Sequence, residues 1–217
     1  MSWLSDTLGY HWGRTVVRYF DWAVSRGWHV EGREHFPDAP VICICWHGVN
    51  LLGLVAYGTL GRPRRCLVPV TYGLAGAVSR GWGEGTGLKV VQLPRKGKAH
   101  AALAAMEQGL KRGDDVVLAT DGPRGPVGRV RPGAVWLARA TGCPIILGGL
   151  TARPAAHLPR WDRLTVPLPG ARGVLVVAEP VYVEPHAEVD GALLDDVSER
   201  LHAVTARAWE LAKAGQV

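Results

Sequence analysis

Val116-Val117-Leu118-Ala119-Thr120-Asp121-Gly122-Pro123-Arg124-Gly125-Pro126 begins as an apolar run with the character of a buried strand. It ends in a turn made of two Pro, two Gly and one Arg. Proline holds φ near about −65° and glycine enters backbone conformations closed to other residues, so such a turn keeps one shape. An arginine on a pre-shaped loop at a strand's carboxyl end can grip a phosphate or carboxylate with its planar fork. The same residues also make a plain tight turn in which Arg124 meets a neighbouring carboxylate. The segment by itself leaves both readings open.

A second apolar strand, Val41-Ile42-Cys43-Ile44-Cys45, runs into Trp46-His47-Gly48. In open α/β sheets, ligands collect outside the carboxyl ends of the strands. A histidine and an arginine at two such ends can face one crevice. That pairing lifts His47 above the structural role that a lone histidine after a strand usually has.

The rest of the chain is consistent with an enzyme-sized globule. Its 217 residues, 47% apolar, can bury a substantial core and exclude a disordered chain. The formal charge is +6, and only five of the 25 basic residues are Lys. Many acids lie after residue 183, which leaves the preceding part more basic and suited to anionic partners. There is no groove-reading helix motif, aromatic RNA-binding strand or Lys-rich tail, so nucleic acid is not expected. The four cysteines, Cys43, Cys45, Cys66 and Cys143, have no CxxC spacing and read as buried free thiols. Cys45 and His47 would share a strand face, which makes a Cys–His nucleophile pair conceivable. The eight histidines show no metal-ligand spacing, and no metal is expected.

Five of the nine Trp lie in the first 46 residues, and Trp favours boundaries between apolar and wet surroundings. Residues 2–27 read as an amphipathic helix: Leu4, Leu8, Trp12, Val16, Tyr19 and Ala23 recur every three or four residues, with Arg14 and Arg18 one turn apart. It can pack on a core, lie in a lipid headgroup layer, or do both. The N-terminal stretch has Asp6 early and no apolar run, so no secretory leader is expected. Residues 39–61 hold no Asp, Glu, Lys or Arg, but Pro40, His47, Asn50 and four Gly divide them into a strand and a core helix better than they make a membrane span.

Strand-like runs fall at 28–31, 41–46, 66–70, 88–93, 115–119, 144–150, 163–167, 174–178 and 181–183. Helical patterns fall at 49–60, 73–81, 98–112, 133–141 and 190–213. The Gly-rich stretch 81–87 lacks the Lys-Ser/Thr of a phosphate-binding loop and reads as a flexible loop near the cleft. The alternation predicts an α/β fold with a mixed, largely parallel sheet flanked by helices. An N-terminal amphipathic helix (1–27) precedes one domain (28–217).

These segments together resemble the lysophospholipid acyltransferase superfamily, and within it a small bacterial branch marked by Trp-His-Gly and Asp-Gly-Pro-Arg-Gly-Pro. The similarity runs from about residue 25 to 183. Trp46-His47-Gly48 matches the superfamily's first block, with its catalytic His. Gly87-Leu88-Lys89-Val90-Val91 and Arg95-Lys96-Gly97 look like the second, which binds the acceptor's phosphate. Asp121–Pro126 looks like the third, Gly142-Cys143-Pro144-Ile145-Ile146 like the fourth. Trp161-Asp162-Arg163 and Pro167-Leu168-Pro169 match a further signature of the small branch.

The resemblance implies a glycerol-3-phosphate acyltransferase-like fold. It implies that a fatty acyl group moves from an acyl-CoA or acyl carrier protein thioester to the hydroxyl of a lysophospholipid or related phosphorylated acceptor. No cofactor would be bound. His47 would be the base, and Arg124, Asp121, Gly122, Pro123, Arg95 and Lys96 would bind substrate. The protein would sit peripherally on the cytoplasmic face of the membrane, through residues 2–27. Two departures stand out. Where the superfamily carries the Asp that orients its His, position 52 is Leu, and Glu84, Asp121 and Asp162 are the carboxylates left to take that place. Gln92-Leu93-Pro94 replaces an Arg-Gly-Ser type run before Arg95. The first departure supports a rival reading, a non-catalytic lipid- or anion-binding protein on the same scaffold. With no Gly-x-Ser-x-Gly elbow, direct attack by the acceptor hydroxyl is favoured over an acyl-enzyme.

Overall fold

The computed structural model describes residues 3–62, 64–70, 73–92, 99–122 and 125–215. In chain order the elements are α1 (Trp3–Ala23), β1 (Trp28–Glu31), β2 (Ile42–Cys45), α2 (Asn50–Thr59), β3 (Cys66–Val70), α3 (Gly73–Gly85), β4 (Lys89–Gln92), α4 (Ala99–Lys111), β5 (Asp115–Ala119), α5 (Pro132–Thr141), β6 (Ile145–His157), β7 (Thr165–Val177) and α6 (Gly191–Ala214). The seven strands form one sheet in the order β1-β7-β6-β2-β5-β3-β4. Every neighbouring pair is parallel except the β6–β7 hairpin. This is the expected α/β class.

Period-2 alternation sends successive strand side chains to opposite faces. Ile42 and Ile44, Val116, Ile145 and Leu147 join one core with α4, α5 and α6. Val41 and Cys45, Val117 and Ile146 join the other with α1 and α2. Strands covered on both faces must be apolar throughout, which is why these runs are continuous. At the amino end of β5, the fully buried Asp115 binds three parts of the chain together. Its carboxylate accepts from the Val41 amide at 2.9 Å, the Tyr57 hydroxyl at 2.6 Å and Arg62 Nε at 2.6 Å.

Several elements differ from the sequence expectation. The runs at 163–167 and 174–178 are one strand, β7, and β6 continues to His157. Proline and glycine usually interrupt a paired strand, and Pro154, Pro167, Pro169 and Gly170 lie within these two. However, a register shift between Arg153 and Ala155 absorbs Pro154, and β1 pairs only with Gly173–Val176, leaving the earlier part of β7 with one unpaired edge. Residues 181–183 contribute a single bridge, Val181 to Ile145.

The Gly-rich stretch is not a loop near the cleft: α3 runs through Gly85. A Cβ at Gly81 would overlap the Tyr10 carbonyl oxygen, and one at Gly13 would overlap that of Val78. The glycines let α1 and α3 touch backbone to backbone, so Gly13 serves that contact. α1 itself ends at Ala23. Residue 93 of the predicted fourth strand and residue 98 of the following helix lie outside the described residues.

Candidate active site

Strands β2, β5, β3, β4 and β6 run parallel, so their carboxyl ends share one edge of the sheet. At that edge β2 passes through the extended Trp46 into a single 3-10 turn, His47–Val49, which feeds α2. Trp46 is buried against α6, its ring 4.7 Å from that of His202. His47 therefore leaves the sheet at a fixed point, with its side chain 19% exposed.

The carboxylate that meets it comes from β6. This strand pairs with β2 as far as Leu147 and then continues to His157. The turn that follows folds back over the end of β2. It is closed by Leu158 N–H to Leu164 O (3.0 Å), Arg160 N–H to Leu158 O (2.8 Å) and Arg163 N–H to Arg160 O (3.1 Å). Arg163 sits at φ 49°, a conformation that side-chain-bearing residues adopt at a cost and that clusters at functional sites.

Asp162, fully buried in this turn, places Oδ2 2.7 Å from His47 Nδ1. A carboxylate can only accept here, so Nδ1 carries a proton, and in the neutral ring Nε2 is then the nitrogen with the lone pair. Gly48 permits the approach, since a Cβ there would overlap the Asp162 carbonyl oxygen. The Trp161 ring lies 5.1 Å from that of His47 and forms a wall beside it.

Of the three carboxylates left open by the sequence, Asp162 alone meets the His47 ring. Leu52 is wholly buried in the core with Val17, Phe20 and Val55. Glu84 is exposed near the end of α3. Asp121, 1% exposed, uses Oδ1 to accept the backbone N–H of His47 at 2.7 Å. It thus ties the turn after β5 to the residue that carries the imidazole. Burial raises the Asp121 carboxyl above its ordinary value, and the hydrogen bond from the His47 amide opposes that push.

The turn after β5 has its own brace. Gly122 and Gly125 both sit at φ 68°. The Arg131 guanidinium spans them, donating to the carbonyl of Asp121 at 3.2 Å and to that of Gly125. Further along, α6 holds the same loop: Ser198 Oγ accepts from the Val130 amide (3.0 Å), and His202 Nε2 meets the Gly128 carbonyl at 2.9 Å. Pro123 and Arg124, and Arg95 and Lys96, lie outside the described residues. The strands leading to them, β5 and β4, end on the same edge as His47.

The Cys45 thiol is pushed up to about 12, first by burial and then by the Asp121 charge. It stays a neutral thiol at ordinary pH, which removes the Cys–His nucleophile pair. Among the described residues no group of three or more His, Cys, Asp or Glu could hold a metal ion.

Sequence reasoning did not single out Arg131, Arg160 or Trp161 as site residues. Trp161-Asp162-Arg163 was visible as a motif, but nothing local says that it reaches His47. The sequence matches no family model and no curated protein. A crystal structure of the 1-acyl-sn-glycerophosphate (LPA) acyltransferase PlsC from Thermotoga maritima is similar, with a TM-score of 0.53 and 22% identity, over 92% of this chain and 80% of that chain. That likeness establishes the fold: the mostly parallel α/β sheet with its flanking helices is the architecture that this chain shares with PlsC.

Proposed function

We propose that the protein is an acyltransferase that moves a fatty acyl group from a thioester donor, acyl-CoA or acyl carrier protein, to the hydroxyl of a lysophospholipid or related phosphorylated acceptor. The observation that carries this reading is the His47–Asp162 pair, 2.7 Å apart at the carboxyl edge of the sheet, beside the turn that begins at Asp121. The PlsC-like fold supports it.

In the mechanism, Asp162 holds the imidazole by its Nδ1–H, and Nε2 takes the proton of the acceptor hydroxyl. The oxygen attacks the thioester carbonyl. The tetrahedral intermediate then expels the thiolate, which recovers the proton from Nε2. The Gly122 amide donates to the Ala119 carbonyl at 3.3 Å and Pro123 has no N–H, so the oxyanion needs a donor other than these two. Arg124, Arg95 and Lys96, with Asp121, Gly122 and Pro123 shaping the turn, are the substrate-binding set, and no bound cofactor is required. The rival non-catalytic reading rested on Leu52 replacing the orienting carboxylate. Asp162 supplies such a carboxylate from elsewhere, which favours catalysis.

Among the described residues no helix is long and apolar enough to cross a membrane. We place the protein at the cytoplasmic face of the membrane in peripheral contact through residues 2–27, and the contact, though not the face, is supported by Leu8, Trp12 and Trp22, which α1 exposes beside Arg14 and Arg18.

The test is transfer of radiolabelled acyl groups to lysophospholipid acceptors, with His47→Ala as the control. Transfer by the wild type that is lost in the variant is expected. Full activity in His47→Ala, or none in the wild type across donors and acceptors, would sink the proposal.

A further inference from the structure

In the sheet order, β2 lies between β5 and β6. His47 at the end of β2 therefore lies between the strands that lead to two turns, the one that begins at Asp121 and the one that carries Arg160, and the two turns meet where a Cβ at Gly125 would stand 3.2 Å from the Trp161 ring. Arg160 Nη2 donates to Asp162 Oδ2 at 3.2 Å, the oxygen that also accepts from His47 Nδ1. The Asp162 side chain is fully buried, while that of Arg160 is 44% exposed. One donor of the guanidinium is thus engaged beside the imidazole, and its other N–H groups have no acceptor among the described residues. The backbone hydrogen bonds of residues 158–164 set where this cation stands before any ligand arrives.

We infer that Arg160 is an anion-binding residue of the site and takes a phosphate group of one of the two substrates, beside the imidazole of His47. The inference rests on the acyl-transfer reading, because both partners in such a reaction carry phosphate, the acceptor on its headgroup and the donor on its pantetheine arm. Arginine suits the task because its fork can keep one donor on Asp162 and offer others to a phosphate.

The experiment is calorimetric titration of coenzyme A and of lysophosphatidic acid, each alone, onto the wild type, Arg160→Gln and Arg160→Lys, with melting temperatures measured in parallel. Glutamine can still donate to Asp162, so the fold and the His47 geometry are expected to survive. One ligand should bind about tenfold more weakly or worse in Arg160→Gln, the other should be unchanged, and Arg160→Lys should recover most of the loss. Which ligand responds tells the donor's phosphate from the acceptor's. Unchanged affinity for both, equal weakening of both, or no binding of either to the wild type overturns the inference. A wild type that binds but transfers no acyl group overturns the reaction proposed above, while the titrations still decide Arg160.

Discussion

Asp162 meets His47 Nδ1 at 2.7 Å across 115 residues of chain, and it does so from a turn, whereas the resemblance pointed to a helix position five residues after the histidine. Leu52, at that position, points into the core with no exposed surface. The pairing therefore depends on how far β6 extends beyond β2, and on the absence of a side chain at Gly48.

Replacing Asp162 by Asn should lower kcat by roughly 10²–10⁴-fold, because the imidazole loses the partner that fixes its tautomer. Adding Leu52→Asp should not rescue it. That carboxylate would be buried without a partner, at a cost of about 3–5 kcal/mol. Steady-state kinetics and thermal melts check both, and rescue by Leu52→Asp would show that the orienting role is not bound to Asp162.

Gly48→Ala should damage catalysis more than the fold. The new methyl collides with the Asp162 carbonyl oxygen and pushes the 158–164 turn away from the imidazole. A drop in kcat of about tenfold or more is expected, since small misplacement of catalytic groups is costly. Wild-type kcat in this variant would mean that the turn can move without consequence.

Cys45→Ala should keep activity within a few-fold. With its thiol pushed up to about 12, Cys45 stays protonated and is a poor nucleophile between about pH 6 and 9. Iodoacetamide at pH 8 should leave turnover unchanged, and rapid inactivation that is absent in Cys45→Ala would contradict this.

Asp115→Ala should destabilise the protein by about 3–5 kcal/mol, because it strands the guanidinium of Arg62 against a largely buried pocket. The Val41 amide and the Tyr57 hydroxyl lose their acceptor as well. Chemical denaturation measures the loss. A change under about 1 kcal/mol would mean that water replaces the carboxylate.

Trp12→Glu should weaken binding to anionic vesicles several-fold while leaving turnover of a soluble, short-chain acceptor intact. Trp12 is 59% exposed and Leu8, one turn earlier, 69%. Vesicle sedimentation at low and high salt, run beside the soluble assay, separates the two effects. Equal sedimentation of the variant and the wild type would remove α1 from the contact.

The amino-acid sequence alone determined the strand and helix alternation, the apolar strands that end in His47 and Asp121, and the amphipathic α1. Each depends on side-chain period and on turn residues within a few positions of one another, so near neighbours in the chain encode it. Tertiary structure decided the rest. Whether Pro154 and Pro167 break a strand depended on which strand edges were left unpaired, and whether Gly81 and Gly85 belong to a loop depended on α1 lying against them. Which carboxylate serves His47 depended on strand length, register and the space left free by Gly48. No local pattern carries those quantities, because they arise only when distant segments pack against each other.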